Sequence, residues 1–201
     1  MTTPRLILAS SSKRRLSVLS QIGYKPDLII PADIDETPEK SENPRSLALR
    51  LGFEKALKIS KEYPIDAVLG ADTVVGVGRT ILPKGETEAD ALYCLEKLSG
   101  RRHKVYTGVC LIYNGRISKK ISVTTLKFKV LSKTEKDEFI KTGQWYGKAG
   151  GYALQGFAAQ FIESMNGVDT NVLGLPACLV HKLLFGIGIK KDYTTISTEI
   201  C

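Results

Sequence analysis

Long apolar runs are missing from this 201-residue chain. No segment approaches the ~20 apolar residues a membrane-spanning helix needs. Cysteine is scarce. Cys94, Cys110, Cys178 and Cys201 lie far apart with no CxxC pair, which removes zinc-ligand spacing and argues against a disulfide framework. They read as reduced thiols, the first three packed in apolar segments. The only histidines are His103 and His181. No Ser-His-Asp order accompanies them, so a structural role is expected of each. Aromatic residues make up 7% and lysines are scattered, which argues against a basic stripe with stacking rings for nucleic acid. Internal repeats, low-complexity stretches and linker-like breaks are absent, so residues 1–201 are read as a single domain. At the N-terminus, MTTPRLILASSSKRR puts its basic residues after a short apolar stretch, the reverse of a signal peptide. A soluble, cytoplasmic protein is the simplest expectation.

What is present is a net charge of +8, which suits polyanionic partners or serves solubility alone. Residues 5–9 and 27–31 read as apolar strands, with Ser10–Ser12 capping a helix over 13–22. DIDETPEKSENP is a polar, proline-punctuated loop. A helix is predicted over 45–61 with Leu47, Ala48, Leu51 and Ile59 on one side, then a strand in AVLGADTVVGVG. Thr87 with Asp90 marks a capping box for a helix ending at Leu98–Gly100. Asn114–Gly115 joins two strands as a hairpin, with a bulge expected near Thr124–Thr125. Ser132 or Thr134 caps a further helix, and Pro176 suits the first turn of a last one over 176–185. The fold class is α/β, with a mixed sheet and at least one antiparallel hairpin.

Several residue types stand where their surroundings make them costly. Arg14 and Arg15 open a helix, where cations oppose the macrodipole; with the free N–H groups of LASSSKRR they suit a phosphate. Asp72 lies inside apolar, β-branched AVLGADTVV, sharing a face with Val68, Gly70 and Val74. A carboxylate there needs a partner, a metal or a catalytic role. Lys55 falls on the apolar stripe of Leu47, Leu51 and Ile59, whereas Arg50, Glu54, Lys58 and Lys61 look like solvated charges. Lys84 in ILPKGE is a weaker signal. Asp33, Asp35 and Glu36 cluster in the acidic loop, and Glu36 with Asp72 could hold Mg²⁺ beside substrate phosphates. In GKAGGYALQG the glycines allow close backbone approach, and Gln155 offers both a donor and an acceptor to a base edge.

Taken in order, LASSSKRR, DETP, Glu54-Lys55-Ala56, GADTVV, LPK, LSGRRHKVYTGV, GKAGGYALQG and NVLGLP resemble the Maf family, the septum-formation proteins, from Leu8 to about Pro176. The resemblance implies a metal-dependent hydrolase releasing pyrophosphate from nucleoside triphosphates. It also implies an α/β fold related to the inosine-triphosphate pyrophosphatases, with two lobes around a central cleft. Asp72 would be the proton acceptor that activates water. Ser10, Arg14, Arg15, Lys55 and Lys84 would bind the substrate, and Asp72 and Glu36 would hold Mg²⁺ or Mn²⁺. Arg14, Thr73 and Gln155 match positions tied to substrate choice, and KAGGYALQG is similar to the branch acting on dTTP and UTP. A homodimer is also implied. The alternatives are the same chemistry on another nucleotide such as 7-methyl-GTP, or a non-enzymatic nucleic-acid-binding regulator of cell division. Three positions depart from the family pattern. Gly85 follows Lys84 where proline is usual, which predicts a looser loop. Lys13 replaces a proline, and NGVDTNV replaces a shorter motif near the expected base pocket.

Overall fold

A computed structural model describes residues 4–195 of the chain, so Cys201 lies outside the described residues. Its centre is a seven-stranded sheet ordered β2-β1-β3-β5-β6-β7, with β4 paired to β3 off that path. In chain order the elements are β1 (Leu6–Leu8), α1 (Lys13–Gln21), β2 (Leu28–Ile29), α2 (Pro44–Glu62), β3 (Ala67–Val77), β4 (Thr80–Leu82), α3 (Glu88–Leu98), β5 (Arg102–Tyr113), β6 (Arg116–Phe128), α4 (Lys133–Lys141), β7 (Ile162–Asn166), α5 (Asp169–Val172) and α6 (Ala177–Gly186). β1 pairs parallel with β2 and β3, and every other pairing is antiparallel, so the sheet is mixed as expected.

Local chemistry accounts for the boundaries. Asn43 caps α2, with Pro44 in its first turn, where the missing N–H costs nothing. Thr87 and Asp90 form the expected capping box, and Ser132 with Glu135 forms a second. Asn114 and Gly115 both take positive φ in the β5–β6 turn. Three expectations are corrected. The β5–β6 ladder runs without a bulge through Lys104↔Thr125 and Val105↔Thr124. The irregularity falls at Lys127/Phe128, against β7. Cys94 and Cys110 are buried but Cys178 is exposed, because it points away from the apolar side of α6 that carries Val180 and Leu184. Pro176 precedes α6 as its N-cap instead of lying in its first turn.

β3 organises the molecule. Its Val68, Gly70, Asp72 and Val74 face α2. On the opposite face, Leu69 and Ala71 join an apolar cluster with Leu6, Leu19, Tyr24 and Leu184. Val75 joins another with Leu95, Leu98, Phe128, Phe139 and Phe161. Thr73 falls between the two clusters. Along one edge β3 pairs with β1 only as far as Leu69 and with β4 only from Val75. Among the described residues, positions 70–74 therefore have no strand neighbour on that edge. That gap in the sheet opens the central cleft.

Candidate active site

Two side chains that the sequence places on different elements meet because α2 lies almost directly on the sheet. A Cβ at Gly70 would stand 2.5 Å from Gly52 O, one at Gly52 would stand 2.6 Å from Gly108 O, and one at Gly108 would stand 2.1 Å from Ala48 O. With glycine at all three, helix and sheet backbones touch. The apolar stripe of α2 is buried, and Lys55 on that stripe reaches Asp72 Oδ1 at 2.5 Å. Both side chains are below 10% exposed, at 9% and 6%. The cost predicted for an isolated buried carboxylate is thus met by an equally buried ammonium.

Glu36 completes the cluster. Its carboxylate contacts Lys55 Nζ at 2.6 Å and also pairs with Lys84. Burial acts to raise its pKa, but hydrogen bonds from Lys55 and Lys84, with their charges, outweigh it and bring the carboxyl down to about 2. The loop carrying Glu36 is anchored by a residue that looked merely solvated. Arg50 on α2, only 19% exposed, bonds Glu42, Glu54 and the carbonyl of Thr37. That expectation for Arg50 is corrected: its guanidinium has five donors, and a loop rich in carboxylates folds back over them.

The loop bearing Lys84 is not loosened by Gly85. Gly85 N–H donates to Lys148 O at 3.0 Å and its carbonyl accepts from Gly147 N–H at 2.8 Å, while Gly150 N–H donates to Pro83 O. A proline at 85 would lose the first of these bonds, and even a Cβ would stand 2.7 Å from Trp145 O. The glycine binds the Lys84 loop to the glycine-rich segment.

Ser12 caps α1, and its hydroxyl accepts from Arg15 N–H. Arg15 is held on three sides: Nε to Gly174 O at 3.0 Å, Nη1 to Ser10 Oγ at 2.9 Å and Nη2 to Thr73 Oγ1 at 3.5 Å. Burial lowers its pKa, opposed by Asp72 and then Glu36. Burial, then Arg15, lowers that of Arg14. Among the described residues neither arginine has a salt bridge. Ser10 is buried and serves to orient Arg15.

These groups line a cleft of two chambers that share Asp72, Thr73, Lys84 and Ala149. The smaller, about 140 Å³, takes Ser12, Arg14 and Arg15 on one side and Val75, Val105, Tyr152 and Leu173 on the other. The larger, about 400 Å³, takes Glu36, Leu47, Leu51 and Ile81. Lys55 stands behind Asp72 and Glu36. Ser10 and Lys55 are buried behind the chamber walls, whereas Gln155 stays outside: it is exposed and lines neither chamber. Tyr152 explains this, because it turns inward to bond His103 Nε2 at 2.7 Å within the aromatic core, and the chain after it emerges at the surface. Both histidines are structural, His181 bonding the Tyr24 hydroxyl. Sequence reasoning missed Thr107 and Asn171. Both are fully buried behind Thr73, and their only signal was a polar residue in an apolar strand and the Asn that opens NVLGLP.

The family model described as Maf-like protein matches residues 5–187. The chain belongs to the Maf-like family. Similar Maf-like relatives include a protein of Caulobacter vibrioides named dTTP/UTP pyrophosphatase, 54% identical over 188 residues that span 93% of this chain and 97% of the relative. Another of the same name, from Mesorhizobium japonicum, is 50% identical over 193 residues, 92% of this chain and 93% of its own. A fainter likeness, to the structure of the Staphylococcus aureus Ham1 protein, has 15% identity and a TM-score of 0.45 over 62% of this chain and 71% of that one. It is too slight to bear on fold or activity. Among the described residues no helix is long and apolar enough to cross a membrane.

Proposed function

We propose that the chain hydrolyses dTTP and UTP to the monophosphate and pyrophosphate, with Asp72 as the proton acceptor. The observation that carries this reading is the buried Lys55–Asp72–Glu36 cluster at the floor of a cationic cleft, in a chain half identical to relatives of that name. Lys55 occupies Oδ1 of Asp72, so Oδ2 takes the proton of a water entering the gap beside β3. The water oxygen bonds the α-phosphorus, the bridging bond to the β-phosphate breaks, and pyrophosphate departs with its electron pair. Arg14 and Lys84 meet the charge of the leaving group from the cleft wall. Ser10, Thr73 and Gly174 keep Arg15 in place without reorganisation.

Glu36 and Asp72 fit a hard divalent cation such as Mg²⁺ or Mn²⁺. Both offer only oxygen, and one ammonium bridges them. Among the described residues no group of three or more ligating side chains exists, so phosphate oxygens and water would complete the shell, the habit of Mg²⁺. When bound, the metal would neutralise developing phosphate charge. The homodimer and the cytoplasmic location remain part of this proposal on family grounds.

The test is pyrophosphate release from a panel of nucleoside triphosphates, with metal and with a chelator. Release from dTTP and UTP that chelation abolishes supports the proposal. Release only from 7-methyl-GTP would keep the chemistry and discard the base, and silence from folded protein would leave the nucleic-acid-binding regulator.

A further inference from the structure

Thr73 and Thr107 stand directly opposite one another on β3 and β5, their hydroxyl oxygens 3.0 Å apart. Distance alone leaves the donor undefined. The next link defines it. Thr107 Oγ1 also lies 2.9 Å from the main-chain carbonyl of Asn171, and a carbonyl oxygen can only accept. A hydroxyl has one proton, so that of Thr107 is spent on Asn171. Thr107 must then accept from Thr73, and Thr73 in turn has no proton left for the cleft.

The carbonyl that sets this direction is itself fixed. Asn171 Nδ2 donates to Val105 O at 3.0 Å and Thr124 Oγ1 at 3.1 Å. Thr124 Oγ1 donates to Val168 O at 2.8 Å and accepts from Val168 N–H at 3.1 Å. Thr107, Thr124 and Asn171 are all fully buried, so no water competes for these bonds. At the cleft end of the chain, among the described residues, Thr73 meets only the long 3.5 Å contact from Arg15 Nη2. Its remaining lone pair is therefore open to a donor within the chamber, beside the apolar wall of Val75, Val105 and Tyr152.

We propose that Thr107 is a positioning residue for substrate choice: by fixing the Thr73 hydroxyl as an acceptor, it selects a base that presents an N–H there. The imide N3–H shared by uracil and thymine meets that demand. Cytosine has a bare ring nitrogen at the same position, and it would face a lone pair with a lone pair. A buried group built for one hydrogen-bond polarity rejects the opposite one far more strongly than an apolar pocket rejects a change of size. This inference rests on the proposed pyrimidine triphosphate activity and adds the source of its discrimination against cytosine.

The experiment compares kcat/KM for UTP, dTTP and CTP in the wild-type chain and in Thr107→Val, Thr107→Ala and Thr107→Ser. Valine keeps the shape of threonine and removes the hydroxyl, so the Thr73 proton is free to turn into the cleft. The expected result is a preference for UTP over CTP that falls at least ten-fold in Thr107→Val, through loss on UTP together with unchanged or improved turnover of CTP. Thr107→Ser restores the hydroxyl and should restore the preference. If valine prevents folding, Thr107→Ala reads the same ratio. Equal losses on all three substrates, with the ratio unchanged, would show that Thr107 only packs, and would overturn the inference while leaving the activity standing. A wild-type enzyme that cleaves neither UTP nor dTTP would overturn the activity itself, and this inference with it.

Discussion

Glu36 shows how one side chain on a loop can join two elements, because Lys55 comes from α2 and Lys84 from the segment after β4. Its depressed pKa has a consequence for stability. A carboxyl near 2 in the folded chain and near 4.5 when unfolded stabilises the fold fully above about pH 4.5, and that contribution is lost as pH falls toward 2. Because the side chain is about one-third exposed, at 32%, solvent screening leaves about 1–2 kcal/mol of the effect. Glu36→Gln should therefore unfold more easily than wild type at pH 6, and the gap should close by pH 2 in denaturant titrations. A gap that persisted at pH 2 would mean that packing, not charge, holds the loop. Asp72, Lys55 and Arg15 were legible as residues because each breaks a local rule: a carboxylate in an apolar strand, a lysine on an apolar stripe, a cation at the wrong end of a helix dipole. Arg50 breaks no such rule, and nothing in its spacing distinguishes it from Lys58 or Lys61. The exposed position of Gln155 was not legible for a related reason, since glycine-rich neighbours announce close backbone approach without saying which side chain points inward.

At the scale of elements, the α2–β3–β5 sandwich positions the chemistry, and its glycines set the spacing. Gly108→Ala would drive a Cβ to 2.1 Å from the Ala48 carbonyl, backbone against backbone, with no flexible side chain to yield. Overpacking of this kind costs roughly 3 kcal/mol, and the displaced helix would carry Lys55 away from Asp72. The expected outcome is a lowered unfolding midpoint, with turnover lost in the fraction that still folds. An unaffected midpoint would contradict the close packing. Element types and most caps were readable, because Asn43, Thr87, Ser132 and the Asn114–Gly115 turn carry their own local chemistry. The bulge was misplaced because the run 117–131 alternates cleanly only in parts, and the break in alternation falls where Thr124 turns inward. Thr124 is the buried partner of Val168 and Asn171, a contact between residues more than 40 positions apart that no local pattern reveals.

Across the whole molecule, the cleft exists because β1 and β4 share one edge of β3 and leave a gap between them, and that topology lies beyond what a linear pattern can show. The lobe built around Phe128 and Phe161 also carries His103, whose pKa burial lowers to about 4. A histidine near 4 when folded and near 6.5 when unfolded leaves stability intact above pH 6.5 and erodes it as pH falls toward 4, by up to ~3 kcal/mol. Stability should therefore decline in that window, above the one in which Glu36 acts. His103→Gln, less stable at neutral pH because Tyr152 loses its partner, should show a flatter decline between pH 6.5 and 4. An unchanged slope would assign the acid sensitivity to other groups. The most direct test of the account is pyrophosphate release from UTP by wild type and by Asp72→Asn, with the fold of each verified by its circular dichroism and melting profile. General-base catalysis contributes ~10²–10⁴-fold, so the account predicts a mutant that folds, keeps Lys55 paired with Glu36, and loses at least ~100-fold in kcat. A folded Asp72→Asn protein within a few-fold of wild-type turnover would contradict the assignment of Asp72 as the group that takes the proton from water.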